Sequence, residues 1–65
     1  MITFLIKQKR IEKKLSITEL ARLSGVSKSF ISRIESKERI PGVEVLCYLA
    51  LALECQVSDL YEFNL

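Results

Sequence analysis

Histidine is absent from this 65-residue chain, and cysteine, glycine and proline are scarce. With two cysteines and no histidine, one chain cannot supply the four nitrogen or sulfur ligands of a zinc site. No nucleophile and base form a coherent set, and a chain of this size leaves little room for the walled cavity of ~300 Å³ or more that small-molecule sites use. We therefore expect no metal, no cofactor, no small-molecule ligand and no catalytic residue, and hence no enzyme.

Long apolar runs are also missing. The longest, Val45 to Leu53, has nine residues, whereas a bilayer-spanning helix needs about 20. The first residues, "MITFLIKQKRI", place a short apolar run before the positive charge, the reverse of a signal peptide. We expect a cytoplasmic protein in which Cys47 and Cys55 are reduced and serve as packing residues.

Cations are missing from the C-terminal part. All ten Lys and Arg lie in residues 1–40 with four Glu, a net charge of +6, whereas residues 41–65 carry four acidic groups and no cation. One end of the molecule should attract polyanions and the other should repel them. A chance asymmetry on a solvated surface is the alternative.

The apolar spacing is helical throughout, and no alternating strand pattern is evident. Ser16 and Glu19 form a capping box, Gly25 supplies a left-handed residue that ends a helix, and Ser27 caps the next helix. Pro41 closes a loop before another helix. The sequence predicts one all-α domain over residues 1–65, a compact five-helix bundle with helices near 2–13, 17–24, 28–36, 43–53 and 57–62.

The third predicted helix has two different faces. At about 100° per residue, Ile31, Ile34 and Glu35 share the inward face. The opposite face carries Ser29, Ser32, Arg33 and Ser36, flanked by Lys28 and Phe30. A helix of this size fits the major groove of DNA, where Arg pairs with guanine and Ser reaches any base. Phe30 either meets a thymine methyl group or packs against the second helix.

The text "LSITELARLSGVSKSFISRIES", followed by Pro41, "LCYLALAL" and "VSDLY", resembles the Cro/CI-type helix-turn-helix family. The resemblance covers residues 5–61, with the helix-turn-helix at about 17–36. It implies a lambda-repressor-like DNA-binding domain and an internal ion pair between Arg10 and Glu35. It also implies base reading by Lys28, Ser29, Arg33, Ser32 and Phe30, and phosphate contacts by Thr18, Lys37, Arg39 and Lys7. For each cation, a merely solvated charge is the alternative.

Four departures from the family pattern matter. Ile17 replaces a Gln that helps to hold a phosphate, which leaves the amides of the second helix, with Thr18, to anchor it. Lys14, Lys37 and Glu54 stand where relatives place Gly after a helix. Either those turns differ here, or each residue tolerates a left-handed conformation at a cost of ~1 kcal/mol.

A second copy of the chain is the expected protein partner. Relatives bind DNA as dimers, whose recognition helices meet grooves about 34 Å apart. Exposed apolar side chains on the end without cations mark an interface. We predict that it comprises Tyr48, Leu51, Phe63 and Leu65, with residues 61–65 as a dimerisation tail. The alternative is that the tail packs within the monomer, against Phe4 and Leu5.

The resulting prediction is a sequence-specific, double-stranded-DNA-binding transcriptional regulator of bacterial or phage type, associated with the nucleoid when bound to DNA. We expect a homodimeric repressor of a near-palindromic operator. The alternative is a protein-interaction module of the same fold, similar to an antitoxin or antirepressor. The missing Gln at Ile17 favours that alternative slightly, whereas Arg33, Lys28 and the basic half argue against it.

Overall fold

The computed structural model describes all 65 residues. Four α-helices and one 3₁₀ helix lie between two short strands at the chain ends. The elements, in chain order, are β1 (Ile2–Phe4), α1 (Ile6–Glu12), α2 (Ile17–Ser24), α3 (Lys28–Glu35), α4 (Val43–Leu53), the 3₁₀ helix (Val57–Leu60) and β2 (Tyr61–Phe63). The helical domain predicted from the sequence is therefore present, with a small sheet added to it.

The terminal sheet corrects the all-α prediction. β1 and β2 pair antiparallel, with Ile2 opposite Phe63 and Phe4 opposite Tyr61. The Leu5 amide donates to the Leu60 carbonyl at 2.8 Å, and the Asn64 amide donates to the Met1 carbonyl at 2.8 Å. Each strand has only three residues, too few to show an alternating pattern, and the partners lie at opposite ends of the chain. No local signal in the sequence marks such a pairing.

The sheet also shortens the first and last predicted helices. α1 begins at Ile6 rather than near residue 2, because residues 2–4 form β1. The last element is a 3₁₀ helix of four residues, and the Gln56 amide donates to the Asp59 carboxylate at its start, at 2.9 Å. Leu60 is fully buried, whereas Tyr61, within the predicted helix, begins β2 and is 38% exposed. The fifth α-helix of the predicted bundle is therefore absent.

The core lies where the helices converge. α4 contributes four buried residues, Leu46, Leu49, Ala50 and Leu53. The other six buried apolar residues are Ile6, Leu20, Val26, Ile31, Ile34 and Leu60. No helix of this fold is both long enough and apolar enough to span a membrane. Even the longest helix, α4, has only 11 residues.

The two cysteines occupy different environments. Cys55 is half-buried against the core, and burial raises the pKa of its thiol above the ordinary value. Cys47 is exposed on α4. The expectation that both thiols serve in packing is therefore wrong for Cys47, because the inward face of α4 is already filled by leucine and alanine.

Three turns use left-handed residues that carry side chains. Lys14 has a φ of 59°, Lys37 a φ of 68° and Glu54 a φ of 54°. Of the two alternatives at these positions, the chain therefore keeps the family's turns and tolerates the crowding of Cβ against the backbone. The packed elements on both sides of each turn hold it in this conformation.

Candidate nucleic-acid interface

α2 and α3 form a hairpin whose ends are fixed by local hydrogen bonds. The Glu19 amide donates to the Ser16 hydroxyl at 3.0 Å, and the Ser16 amide donates to the Glu19 carboxylate at 2.8 Å. Gly25 ends α2 with a φ of 77°, a conformation that glycine adopts without strain. Ser27 then caps α3 by accepting from the Phe30 amide at 3.1 Å. The turn between the helices is thus determined by the residues within it.

α3 buries one side and exposes the other. Ile31 is 0% and Ile34 is 4% exposed, so two branched side chains fix the helix against the core. The exposed side carries Lys28, Ser29, Ser32 and Arg33, which are four of the predicted base-reading residues. No other protein group forms a salt bridge with Lys28 or Arg33. The helix therefore presents donors and acceptors to solvent.

Phe30 stands apart from that polar face. Its side chain is half-buried and packs against the core. Of the two roles considered for it, packing is the one that the contacts favour. We therefore leave Phe30 out of the base-reading set proposed below.

Arg10 ties α1 to α3. Its Nε donates to Glu35 Oε2 at 2.8 Å, and its Nη2 donates to Glu35 Oε1 at 3.1 Å. Nη1 donates to the Leu15 carbonyl at 2.8 Å. The side chains of Arg10 and Glu35 are only 13% and 7% exposed. The hydrogen bonds from the guanidinium to Glu35, helped by the charge of that carboxylate, raise the pKa of Arg10. This is the pair implied by the family resemblance.

The four phosphate candidates do not form a single group. Lys7, Lys37 and Arg39 line one cavity, between β1 and the loop after α3. That loop folds back on α3, because the amides of Glu38 and Arg39 donate to the Arg33 carbonyl at 2.8 and 3.2 Å. Thr18 is exposed in the first turn of α2 and is not among the residues of that cavity. The structure therefore brings three of the four together.

Glu19 changes the expectation for the α2 amides. Its carboxylate lies in the first turn of α2 and accepts from the Ser16 amide. That bond, together with the Ser16 hydroxyl, lowers the pKa of Glu19, so the group is negative at neutral pH. A negative charge at this helix end competes with a phosphate for the same positive potential. The capping box was evident in the sequence, but its consequence for phosphate binding was missed.

Ile17 occupies the position where relatives have Gln. Its side chain is half-buried and packs against the core. The chain has thus exchanged a polar group near the α2 terminus for additional apolar contact. An apolar residue there is consistent with a core that has only ten buried members.

The four residues predicted to form a dimer interface are all exposed. Tyr48 is 46% and Leu51 is 77% exposed on α4, Phe63 is 63% exposed in β2, and Leu65 lies beyond β2. The alternative prediction was that the tail packs within the monomer. It is correct for the backbone of residues 61–63, which pairs with β1. The side chain of Phe63 nevertheless remains accessible. Other exposed apolar residues that the sequence analysis did not single out include Ile40 (82%) and Val43 (75%).

The chain also contains cavities that its length did not suggest. The cavity lined by Lys7, Lys37 and Arg39 has a volume of about 500 Å³, and an adjoining one has about 470 Å³. Both are open to solvent, and the second is the shallower of the two. Neither is enclosed, so the expectation that a chain of this size has little room for a walled cavity is not contradicted. Both are bordered by residues of β1, a strand that the sequence did not reveal.

Comparison with known proteins places this geometry in a family. The profile described as "Helix-turn-helix" matches residues 6–60. The "ImmF control region 10 kDa protein" of Bacillus phage phi105 is 36% identical over 56 residues, which are 86% of this chain and 62% of that protein. The "HTH-type transcriptional regulator SlrR" of Bacillus subtilis (strain 168) is 38% identical over 63 residues, 95% of this chain and 41% of that protein. The chain thus spans less than two thirds of either relative.

A solved structure shows the same fold. The restriction-modification controller protein C.AhdI from Aeromonas hydrophila superposes with a TM-score of 0.80, over 83% of this chain and 82% of that one. The two sequences are 30% identical. The matched profile begins at Ile6 and ends at Leu60, so it contains all the helices and leaves out both strands. The chain belongs to the Cro/CI-type helix-turn-helix family of DNA-binding transcriptional regulators.

Proposed function

We propose that this chain is a sequence-specific, double-stranded-DNA-binding regulator that represses transcription as a homodimer on a near-palindromic operator. The observation that carries the proposal is the difference between the two sides of α3. One side of this helix is fixed by Ile31, Ile34 and the Arg10–Glu35 pair, and the other side presents unpaired polar groups. A rigid helix with such a face is suited to the major groove. Repression follows if the bound protein covers a promoter.

The proposed contacts divide into two classes. Arg33 and Lys28 read base edges, with Ser29 and Ser32 beside them, because Arg and Lys pair with guanine and Ser accepts or donates. Lys37, Arg39 and Lys7 hold phosphates and set the register. Thr18 holds a phosphate at the start of α2, where Glu19 reduces the attraction. This chemistry is binding rather than catalysis, and we place it in the cytoplasm, on the nucleoid.

A dimer supplies the affinity that one recognition helix lacks. We propose that Tyr48 and Leu51 on α4, with Phe63 and Leu65 of the tail, meet their counterparts in a second copy. All four are exposed, and they lie in the part of the sequence without cations, so two copies can approach with little repulsion. A dimer of this kind reads two half-sites about 34 Å apart.

Ile17 supports a second candidate function. Its packing against the core replaces a phosphate-holding Gln, as expected for a protein-interaction module of the same fold, similar to an antitoxin or antirepressor. Mobility-shift assays at two salt concentrations separate the two functions. Three phosphate-binding cations per protomer in a dimer give a slope of about −5 in log K against log salt. The absence of duplex binding at low salt would favour the module.

Two substitutions test the division of labour. Arg33→Ala should cost about 1–3 kcal/mol on the preferred site and relax discrimination at one base pair per half-site. Arg39→Ala should weaken binding to all sequences alike and reduce the salt slope. The preferred site is obtained by selection from a random DNA pool, and both variants are then titrated against it and against a scrambled duplex. Identical behaviour of the two variants would contradict the assignment.

A further inference from the structure

The cavity between β1 and the loop after α3 has the composition of a ligand site. Ile2, Phe4, Ile34 and Ile40 form an apolar wall, and Lys7, Lys37 and Arg39 lie around it. Its volume is about 500 Å³. Small-molecule sites are concave, mainly apolar and supplied with a few convergent polar groups. The cavity is open to solvent on one side, but its lining is mainly apolar and includes three cations.

The charge of the cavity has one sign. The chain contains only two salt bridges, and neither includes Lys7, Lys37 or Arg39. Glu35 also lines the cavity, but both of its carboxylate oxygens accept from Arg10. Three cations are therefore left without a protein counterion beside an apolar wall. A ligand that complements this wall carries a negative head group and an apolar tail.

The adjoining cavity extends the apolar wall. It has a volume of about 470 Å³ and shares Ile2, Phe4 and Ile40 with the first cavity. Beyond them it adds Pro41, Val43, Leu46, Val57 and Tyr61. Ile40 is 82% exposed although it stands between two concave apolar surfaces. An apolar ligand tail that covers Ile40 and Val43 would remove apolar surface from water, which favours binding by about 25 cal/mol per Å².

We propose that this cavity binds a small amphiphile with an anionic head group, a carboxylate or a phosphate ester, and that the bound ligand releases the protein from DNA. The inference that the ligand releases the protein from DNA rests on the proposed function, because the cations of the cavity are those proposed to hold DNA phosphates. One head group cannot share a cation with a DNA phosphate without weakening that contact. Eleven residues line the cavity, fewer than the about 20–30 that each partner contributes to a stable protein interface, so a small ligand suits the cavity better.

Binding of the amphiphile is tested first without DNA. Decanoate is titrated into ¹⁵N-labelled protein at low concentration, and amide shifts are followed by NMR. We expect saturable shifts at residues 2–7 and 37–43, with decyl phosphate binding at the same residues and neutral decanol at least about tenfold more weakly. Equal affinity for decanol would overturn the inference that the ligand needs an anionic head group. Shifts spread over the whole chain, or no saturation, would overturn the site.

Two matched variants localise the site. Ile40→Glu adds a negative charge to the apolar wall and should weaken decanoate binding by about tenfold or more. Ile11→Glu makes the same change on α1, at a side chain that is 56% exposed and lines neither cavity. Its decanoate affinity should stay within about twofold of the parent. Equal losses in the two variants would overturn the site. Concentration-dependent dimerisation that Ile40→Glu abolishes would instead assign the surface to a second copy of the chain.

The effect of the ligand on DNA binding is tested by the slope of log K against log salt. With decanoate saturating, we expect the affinity for the selected duplex to fall by about tenfold and the slope to become less steep by about 2, one phosphate contact per protomer. Unchanged DNA affinity with decanoate bound would overturn the release. Decanoate binding by a protein that binds no duplex would overturn the regulator and release proposals while supporting the ligand site. Duplex binding without decanoate binding would overturn the ligand site alone.

Discussion

The α2–α3 hairpin and the terminal sheet are built by different kinds of interaction. In the hairpin, Ser16, Glu19, Gly25 and Ser27 each act on backbone within a few residues of themselves. In the sheet, residues 2–4 pair with residues 61–63, across nearly the whole chain. The hairpin therefore forms from signals that a short window contains, whereas the strands depend on the helices between them being packed already.

The two regions also differ in what stabilises them. The hairpin has the core and the Arg10–Glu35 pair behind it, whereas β2 is exposed along its whole length. Buried polar pairs are costly to break, and exposed backbone hydrogen bonds are worth little more than the water bonds they replace. The region proposed to read DNA is thus held rigidly, and the region that walls the cavities is held weakly. Four substitutions test this contrast.

The largest effect is expected at the ion pair. Arg10→Met leaves the carboxylate of Glu35, 7% exposed, without its guanidinium and the Leu15 carbonyl without its donor. Breaking one side of a buried pair costs about 3–5 kcal/mol. Chemical denaturation measures the loss. The control is Lys9→Met, because Lys9 pairs with Glu12 at 3.5 Å in a partly exposed position, and surface pairs are worth about 0–1 kcal/mol. Similar losses in both variants would mean that the hairpin does not depend on the pair.

A smaller effect is expected in the sheet. Asn64→Pro removes the amide that donates to the Met1 carbonyl, and one such bond contributes about 0.5–1.5 kcal/mol. Leu65→Pro is the control, because the Leu65 amide forms no hydrogen bond within the protein. Hydrogen exchange should increase in β1 of the Asn64 variant while α3 stays protected. Faster exchange in α3 would show that the two regions unfold together.

Lys14 tests how tertiary packing holds a strained turn before α2. Lys14 has a φ of 59°, and Lys14→Gly relieves the strain of that conformation, about 1 kcal/mol. The glycine also raises the conformational entropy of the unfolded chain, which opposes folding by a somewhat smaller amount. We expect equal stability or a gain of up to about 0.7 kcal/mol, measured by denaturation, with unchanged DNA affinity. Lys13→Gly is the matched control, since Lys13 has a φ of −86° and should lose about 0.5–1 kcal/mol. A clear loss in the Lys14 variant would contradict the strained turn.

The smallest effect concerns the capping box. Glu19→Gln keeps an acceptor for the Ser16 amide but does not titrate. The bond from that amide lowers the pKa of Glu19 below 4.5, so ionised Glu19 stabilises the fold above that pH, and the contribution is lost as the pH falls through the lowered value. The stability of the parent relative to the variant should therefore be constant near neutral pH and decrease in acid. A constant difference down to about pH 3 would contradict the role of the charge.

Most of the helical fold could be predicted because its determinants are local. Capping residues, a left-handed glycine and apolar side chains at helical spacing fix α2, α3 and α4 wherever the rest of the chain lies. The family resemblance added the Arg10–Glu35 contact, which joins residues 25 apart and has no local signature. The exposed face of α3 was evident for the same reason, since Ile31 and Ile34 determine which side is buried.

The sequence by itself determined α2, α3 and α4, the hairpin and the residues that α3 exposes, because backbone hydrogen bonds within a helix link residues only four apart. Only the tertiary structure decided that the chain ends pair as strands, that Lys14, Lys37 and Glu54 stay left-handed, and that Phe30 packs inward. It also brought Lys7 together with Lys37 and Arg39 around one cavity. These features depend on residues that meet only after the helices have packed, so no short window of sequence contains them.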